Sequence, residues 1–348
     1  MTSRGVAIVL LVGCAQAGPV GDVGADPDEI PGDPDKNDDQ PPGGTPSPTV
    51  TIDVQCATDP DVGDPEGFRH FSSRALAFAS DSNHRGIDLV ATASTAAQII
   101  EGDASYGTLD LALEDEDVEL FACRTGAWTS IGRARTDDDG HFALSLSGAA
   151  RLPLGMRDMF ASVVGDRTGA RFVALVANNA AAVAVTDIDG TLTSSEFAFT
   201  GAVIGLDVAI HDGAPQAFRS LAERGYQPIY VTARPGMFTD TTREWVATKG
   251  LPRGPLRLPR HTILPGNATT DFKAATFASF GDVDIAFANG NRESDVQAYQ
   301  RAGVPADRTF VKLPEYDDEL APHVAAGEAI GFEDYSELRA IVEKLPVR

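Results

Sequence analysis

Basic residues are scarce in this chain. Its 348 residues carry 28 Lys and Arg against 51 Asp and Glu, a formal net charge of −23. Nucleic-acid backbones are held mainly by clustered Lys and Arg, so this balance argues against a nucleic-acid partner. Aromatic residues are few, at 7%, yet the hydrophobic fraction of 43% is that of a chain able to build a core. Long apolar runs are missing as well. Beyond the first dozen residues none approaches the ~18 needed for a membrane-spanning helix, so membrane attachment has to come from the N-terminus. Cysteine occurs three times, as Cys14, Cys56 and Cys123. Neither of the last two has a Cys or His partner at ligand spacing, which argues against zinc.

What is present begins with a basic start, Met1-Thr2-Ser3-Arg4, an apolar stretch from Val6 to Val12, and the small residue Gly13. That order describes a secretory signal peptide over residues 1–13. Leu11-Val12-Gly13-Cys14 resembles the lipobox of bacterial lipoproteins. The resemblance implies cleavage before Cys14, lipidation of Cys14, and a phospholipid membrane as partner through the acyl anchor. The expected location is the bacterial cell envelope, on its periplasmic or surface side. Residues 14–65 read as an acidic linker, because runs such as Asp33-Pro34-Asp35 and Pro41-Pro42-Gly43-Gly44 bury too little surface to offset their ordering entropy. With Cys14 lipidated, Cys56 and Cys123 form an even pair in an oxidising compartment. A disulfide there competes with two separate buried thiols.

Residues 66–180 read as an all-β sandwich of immunoglobulin-like kind. Short strands are expected at 87–93, 108–113, 118–122 and 171–177, with a hairpin over 130–146 turning at Asp139-Gly140. No nucleophile, base and orienter assemble in this stretch, which suits a scaffolding or docking role.

Residues 181–348 carry the chemistry. Ala182-Val183-Ala184-Val185-Thr186 is the continuous apolar run of a strand buried on both faces of a parallel sheet, and Asp187-Ile188-Asp189-Gly190-Thr191 follows at its carboxyl end, where such sheets bind ligands. Asp187 is the candidate nucleophile and Asp189 the general acid/base. A polar turn or part of a calcium loop is the competing reading. A second strand, 228–231, ends in Thr232-Ala233-Arg234, whose hydroxyl and guanidinium suit phosphoryl oxygens. Lys273, on a helical stretch, can neutralise charge during transfer, unless it is a solvated surface lysine. A further strand, 283–288, leads into Asn291 and Asp295, oxygen donors suited to Mg2+, against the alternative of a plain Asn-Gly turn.

These elements in this order resemble the haloacid dehalogenase superfamily, and most closely the catalytic domain of the lipins, magnesium-dependent phosphatidate phosphatases. The likeness covers about residues 183–345 and includes Thr242-Arg243-Glu244-Trp245 and Gly290-Asn291-Arg292-Glu293-Ser294-Asp295. It implies a Rossmann-like α/β fold, with Mg2+ held by the Asp187 carboxylate, the Asp189 main-chain carbonyl and Asn291, supported by Asp295. It makes Thr232 and Lys273 phosphate contacts. Two departures are Thr-Ala-Arg-Pro in place of Ser-Ala-Arg-Ala and the lack of a basic amphipathic N-terminal helix. Only 45 positions separate Asp187 from Thr232, and 41 separate Thr232 from Lys273. That leaves room for little or no cap, and an open site suits bulky or interfacial substrates. Three functions follow: hydrolysis of phosphatidate or a related lipid phosphomonoester, phosphatidate binding without turnover, or hydrolysis of soluble phosphomonoesters in the envelope. The sequence leaves oligomeric state open.

Overall fold

The five residues of the strand Ala182–Thr186 are all buried, as a small apolar run between two packed layers must be. It lies inside a six-stranded parallel sheet in a computed structural model that describes residues 52–194 and 208–348. The signal peptide, Cys14 and most of the linker lie outside the described residues. Strand order across the sheet is Leu256–Arg257, Gln227–Val231, Ala182–Thr186, Asp284–Gly290, Thr309–Lys312 and Ile330–Phe332. Numbered along the chain this is 3-2-1-4-5-6, the doubly wound order, and its direction reverses between Ala182–Thr186 and Asp284–Gly290. A crevice therefore opens at the carboxyl ends of those two strands.

Alternation along Ala182–Thr186 sends its side chains to two different cores. Ala182 and Ala184 pack with Phe218 and Leu221 of the helix Ala214–Glu223 and with Leu338 and Val342 of the helix Tyr335–Val342. Gly213, at φ 84°, starts the first of these helices, with Pro215 in its first turn. Val183 and Val185 face the other way, onto Phe277, Phe280 and Tyr299 and also onto Val173, Leu175 and Ala177 of the N-terminal half. The N-terminal sheet thus covers part of a face that helices cover elsewhere.

The N-terminal half is a β-sandwich, so the fold class expected from sequence is the one observed. One sheet runs Leu89–Thr92, Gly169–Ala177, Gly155–Val163, Asp117–Arg124 and Ala127–Arg135, with Asp53–Val54 pairing beside Gly155–Val163. The other runs Arg85–Ile87, Ala97–Asp103 and His141–Ser147. A disulfide joins Cys56 to Cys123 across a sequence separation of 67. Among the described residues no helix is long and apolar enough to cross a membrane.

The expected strand pattern changes here in part. The strand expected at 87–93 divides at Asp88, with Arg85–Ile87 and Leu89–Thr92 in different sheets. The expected hairpin over 130–146 is an arch between sheets, because Ala127–Arg135 pairs with Asp117–Arg124 while His141–Ser147 pairs with Ala97–Asp103. Gly140 does turn the chain, at φ 73°, but its carbonyl accepts from Ala104 N (2.8 Å), which draws the following strand to a different neighbour. Residues 71–79 form a helix, which Leu76 and Ala77 pack onto the sandwich core. The boundary expected near residue 180 falls between the strands Gly169–Ala177 and Ala182–Thr186, inside one compact unit.

Asp88 shows how the halves are joined. It is fully buried and accepts from Val173 N (2.8 Å), Leu256 N (2.6 Å) and both Arg243 Nη atoms (2.9 and 3.0 Å). Removing such a carboxylate strands a cation and two amides, at a cost of about 3–5 kcal/mol. Asp88→Ala should lower the denaturant-unfolding free energy by about that amount; a loss near zero would show that the junction does not depend on it.

His84 gives a pH signature. Its Nδ1 accepts from Ser105 N (3.1 Å) and its Nε2 contacts Thr168 Oγ1 (2.8 Å), which fits a neutral ring. Burial pushes its pKa down to about 4, with Asp166 opposing and Arg85 adding to the push. Because the unfolded ring titrates near 6.5, its stabilising effect is complete above that pH and is lost as pH falls through about 4. Over that window wild type should lose about 3 kcal/mol more than His84→Gln, read by chemical denaturation at each pH; parallel pH curves would refute it.

Candidate active site

The crevice is built from strand ends. Asp187 follows Ala182–Thr186 directly, its amide donating to the Asn289 carbonyl at 2.9 Å. Gly190 then turns the chain at φ 71°, and its amide bonds Thr193 Oγ1 at 2.8 Å. This tight turn brings the Thr191 hydroxyl back to Asp187 Oδ2 (3.1 Å) and to Asn291 Oδ1 (3.0 Å). Asn291 comes from the end of Asp284–Gly290. At Gly290 an added Cβ would lie 2.4 Å from the Asp295 Cβ, so only glycine lets Asp295 tuck in below the strand end. Asp295 sits in the first turn of the helix Glu293–Arg301 and accepts from the amides of Asn291 (3.0 Å) and Arg292 (3.1 Å).

Lys273, from the helix Asn267–Ala278, joins these parts. Its Nζ donates to Asp187 Oδ1 at 2.6 Å and to Asp295 Oδ1 at 2.5 Å, and the residue is 3% exposed. Burial alone would lower its pKa, but the two carboxylates outweigh that and hold the ammonium charged well above its usual range. Burial pushes the Asp187 pKa up to about 7, against the pull of Lys273 and with Asp295 and Asp189 adding to the rise. Desolvation thus falls on a cluster with more carboxylate than cation.

Asp189 is held differently. Arg234 grips it as a fork, with Nε to Oδ2 at 2.9 Å and Nη2 to Oδ1 at 2.7 Å, and Thr232 Oγ1 donates to Oδ2 at 3.0 Å. Arg234 also reaches Thr242 Oγ1 at 3.3 Å. Thr232 and Arg234, expected at the phosphate, here both contact the Asp189 carboxylate.

Asp187, Asp189, Lys273 and Asn291 line an open cleft of about 510 Å3. Its walls come from residues 263–270 on one side and from Arg292, Gln297 and Glu319 on the other. Glu319 accepts from Arg292 Nε (3.0 Å) and Glu293 N (2.7 Å), and Arg292 stacks over Tyr316 at 4.0 Å. Between Thr232 and Lys273 the chain forms one short 3-10 turn, the helix Thr239–Thr248, a two-residue strand and a loop, with no cap domain. Sequence reasoning missed two contributors. Thr191 was visible as the Thr of the Asp-x-Asp-Gly-Thr run; Glu319 carries no local signal, since its partners lie 26 and 27 positions away.

The donor set suits a hard divalent cation. Asp187 and Asp295 bring two carboxylates to one ammonium, and the single proton of the Thr191 hydroxyl serves only one of the Asp187 and Asn291 oxygens at a time. Oxygen donors around uncompensated negative charge match Mg2+ chemistry. Asp187, the Asp189 main-chain carbonyl and Asn291 would hold it; Asp295, with both oxygens engaged, braces the set. Among the described residues no group of three or more His, Cys, Asp or Glu side chains is arranged to hold a metal ion, so this set would depend on Asn291 and a main-chain carbonyl beside the Asp187 carboxylate.

Two family models match this chain. One is described as "PITM 1-3, LNS2 domain" and matches residues 184–312; the other, "PITM 1-3, beta-sandwich domain", matches residues 82–176. The LNS2 domain is a lipin-like domain of haloacid-dehalogenase fold, so the likeness read from the motifs stands at the level of fold. The chain is similar to the membrane-associated phosphatidylinositol transfer protein 3 of Mus musculus, 26% identical over 273 residues, covering 71% of this chain and 26% of that protein. It is also similar to protein retinal degeneration B of Drosophila melanogaster, 25% identical over 273 residues, covering 72% of this chain and 20% of that one. The chain therefore spans about a quarter or less of these relatives. A solved D,D-heptose 1,7-bisphosphate phosphatase from Burkholderia thailandensis overlaps 47% of this chain and 96% of its own at 17% identity. With a TM-score of 0.31, that overlap adds nothing to the fold read from strand order.

The metal fit has a direct test. Excess MgCl2 should raise the thermal midpoint of the wild-type chain, by a free energy of about 2.7 kcal/mol at a hundredfold excess over Kd. Asn291→Ala should abolish most of that shift. Equal shifts in both proteins would remove Asn291 from the ligand set.

Proposed function

We propose that this chain is a phosphoric monoester hydrolase that cleaves phosphatidate, or a related lipid phosphomonoester, to diacylglycerol and phosphate. The observation that carries this reading is the meeting of Asp187, Lys273 and Asp189 in one open cleft at the reversal point of a parallel sheet. The Asp187 carboxylate attacks phosphorus; the phosphorus–oxygen ester bond breaks as an aspartyl-phosphate bond forms, and the departing oxygen takes a proton from Asp189. Asp189 then takes a proton from water, whose oxygen attacks the aspartyl phosphate, releasing inorganic phosphate and restoring Asp187. Lys273, fixed between Asp187 and Asp295, offsets negative charge as the phosphoryl group passes. A bound Mg2+ would supply further neutralisation of the phosphoryl oxygens. For Asp189 to reach the leaving oxygen it has to exchange the Arg234 fork for the substrate.

The lipid assignment draws on the LNS2 match and on relatives whose names describe membrane-associated phosphatidylinositol transfer. Attachment through an acylated Cys14 in the bacterial envelope belongs to the same proposal, and the Cys56–Cys123 disulfide supports an oxidising compartment. A second reading, phosphatidate binding without turnover, is favoured by the closed Asp189–Arg234 fork and by relatives named as transfer proteins.

The deciding experiment follows phosphate release from phosphatidate in mixed micelles and from an aryl phosphate, with Mg2+ or with a chelator. Wild type should act on phosphatidate with Mg2+, and Asp187→Asn should lose about 10³-fold or more. Turnover of the aryl ester alone would leave a phosphatase for soluble esters; no release from either, with phosphatidate still bound, would leave the binding module.

A further inference from the structure

Asn289 is a polar residue near the end of the strand Asp284–Gly290, and it is fully buried. Its main-chain carbonyl accepts from Asp187 N (2.9 Å) and from the Tyr299 hydroxyl (2.7 Å). Its side-chain Nδ2 donates to Thr186 Oγ1 and to the Tyr335 hydroxyl, each at 3.2 Å. Thr186 is its register partner on the adjacent strand. Tyr335 opens the helix Tyr335–Val342, which Asp334 caps by accepting from the amides of Ser336 (2.8 Å) and Glu337 (3.0 Å). A side-chain amide this deeply buried needs partners for its donors, and here both go to hydroxyls.

Each hydroxyl has a single proton, and both protons are already spent. Thr186 Oγ1 donates to the Asp187 carbonyl at 2.8 Å, and the Tyr335 hydroxyl donates to the Thr191 carbonyl at 2.8 Å. A carbonyl oxygen cannot donate, so the direction of both bonds is fixed. Burial pushes the Tyr335 pKa well above its ordinary range, with Asn289 opposing and Asp187 adding to the rise, so the phenol keeps its proton. An oxygen facing both hydroxyls would find no proton on either, whereas an NH2 group has one for each. Asparagine meets that demand with one side chain.

The two carbonyls bracket the site. The turn from Asp187 to Thr191 carries Asp187, Asp189 and Gly190, and Thr191 returns its hydroxyl to Asp187 Oδ2 (3.1 Å) and Asn291 Oδ1 (3.0 Å). We infer that Asn289 and Tyr335 are positioning residues: the Asn289 amide aims the Thr186 and Tyr335 hydroxyl protons at the Asp187 and Thr191 carbonyls, which pins the turn at both ends and holds the Asp187 carboxylate in place for attack. The inference rests on the phosphatase reading for its purpose, and on the hydrogen-bond directions for the clamp itself. A nucleophile has to be held close to its attack geometry, and small displacements of it are costly in rate.

The test uses the full chain and three variants. Tyr335→Phe removes one oxygen and frees the Thr191 carbonyl while keeping the ring in the core. Asn289→Asp keeps the shape but puts an acceptor where NH2 was, which draws both hydroxyl protons off the turn. Phe280→Leu alters the core on the opposite face of the sheet, a cluster that includes no residue of the turn, and controls for lost stability. Amide hydrogen exchange, followed by mass spectrometry without substrate, compares residues 187–193 with the strand Gln227–Val231. Exchange in the turn should speed up about tenfold relative to that strand in Tyr335→Phe and Asn289→Asp, and not in Phe280→Leu. On an aryl phosphate, Tyr335→Phe should lose about tenfold in kcat at unchanged KM, while Phe280→Leu keeps both. Turn and strand amides that speed up in step would leave the two residues a structural role and overturn the inference. A Tyr335→Phe kcat within about twofold of wild type would do the same. If wild type cleaves neither phosphatidate nor the aryl ester, the phosphatase reading fails by itself, and the exchange difference still decides the clamp.

Discussion

The Lys273 ammonium, buried between the Asp187 and Asp295 carboxylates, is the contact on which the rest of the site depends. Its three parts arrive from three places: a strand end, the middle of the helix Asn267–Ala278, and the first turn of the helix Glu293–Arg301. A charge removed from water is tolerated only when partners meet it at close range, so each of these elements has to be docked before the cluster can exist. Gly290 is part of the same constraint, because any side chain there would occupy the space of Asp295. The site is thus a product of the assembled sheet and its helices and not of one loop.

The sandwich belongs to that constraint too. Val173, Leu175 and Ala177 cover the face of the sheet on which Val183 and Val185 lie, directly beneath the strand that ends in Asp187. Asp88 ties the edge strand and the helix Thr239–Thr248 to the sandwich, and this helix supplies Thr242 to Arg234. Asp103 does the same for Arg260 at the start of the cleft's rim. A half that brings no catalytic side chain still sets the position of the second strand's Thr232-Ala233-Arg234 turn and of one cleft wall.

Legibility followed how local each signal is. The run from Ala182 to Thr191 was readable because a buried parallel strand and the turn after it are written in consecutive residues. Asp187, Lys273, Asn291 and Asp295 were singled out by their places after strands or on a helix, and the structure brings all four together. Arg234 shows the limit: a guanidinium for phosphate and one clamping the neighbouring carboxylate look the same in sequence, and its 2.7 Å contact with Asp189 is seen only in the structure. Asp88 was hidden inside an apparent strand because its partners lie 85, 155 and 168 positions away. The arch at Asp139-Gly140 was hidden for a related reason. Turn residues state that the chain reverses, but the choice of neighbour is made by the Ala104 amide 36 positions earlier.

Charge decides how the site can meet its substrate. The central cluster has two carboxylates and one ammonium, and Arg234 is already committed to Asp189, so the phosphomonoester of the proposed reaction would add anionic oxygens to a centre with no spare cation among these groups. Coulomb repulsion inside a buried site is far stronger than in water. Productive binding therefore has to be linked to uptake of a cation, to transfer of the Arg234 fork from carboxylate to phosphate, or to both. Transfer of the fork has a chemical consequence of its own. In the proposed reaction it would free Asp189 only when phosphate is present, and so align the proposed general acid with the leaving oxygen.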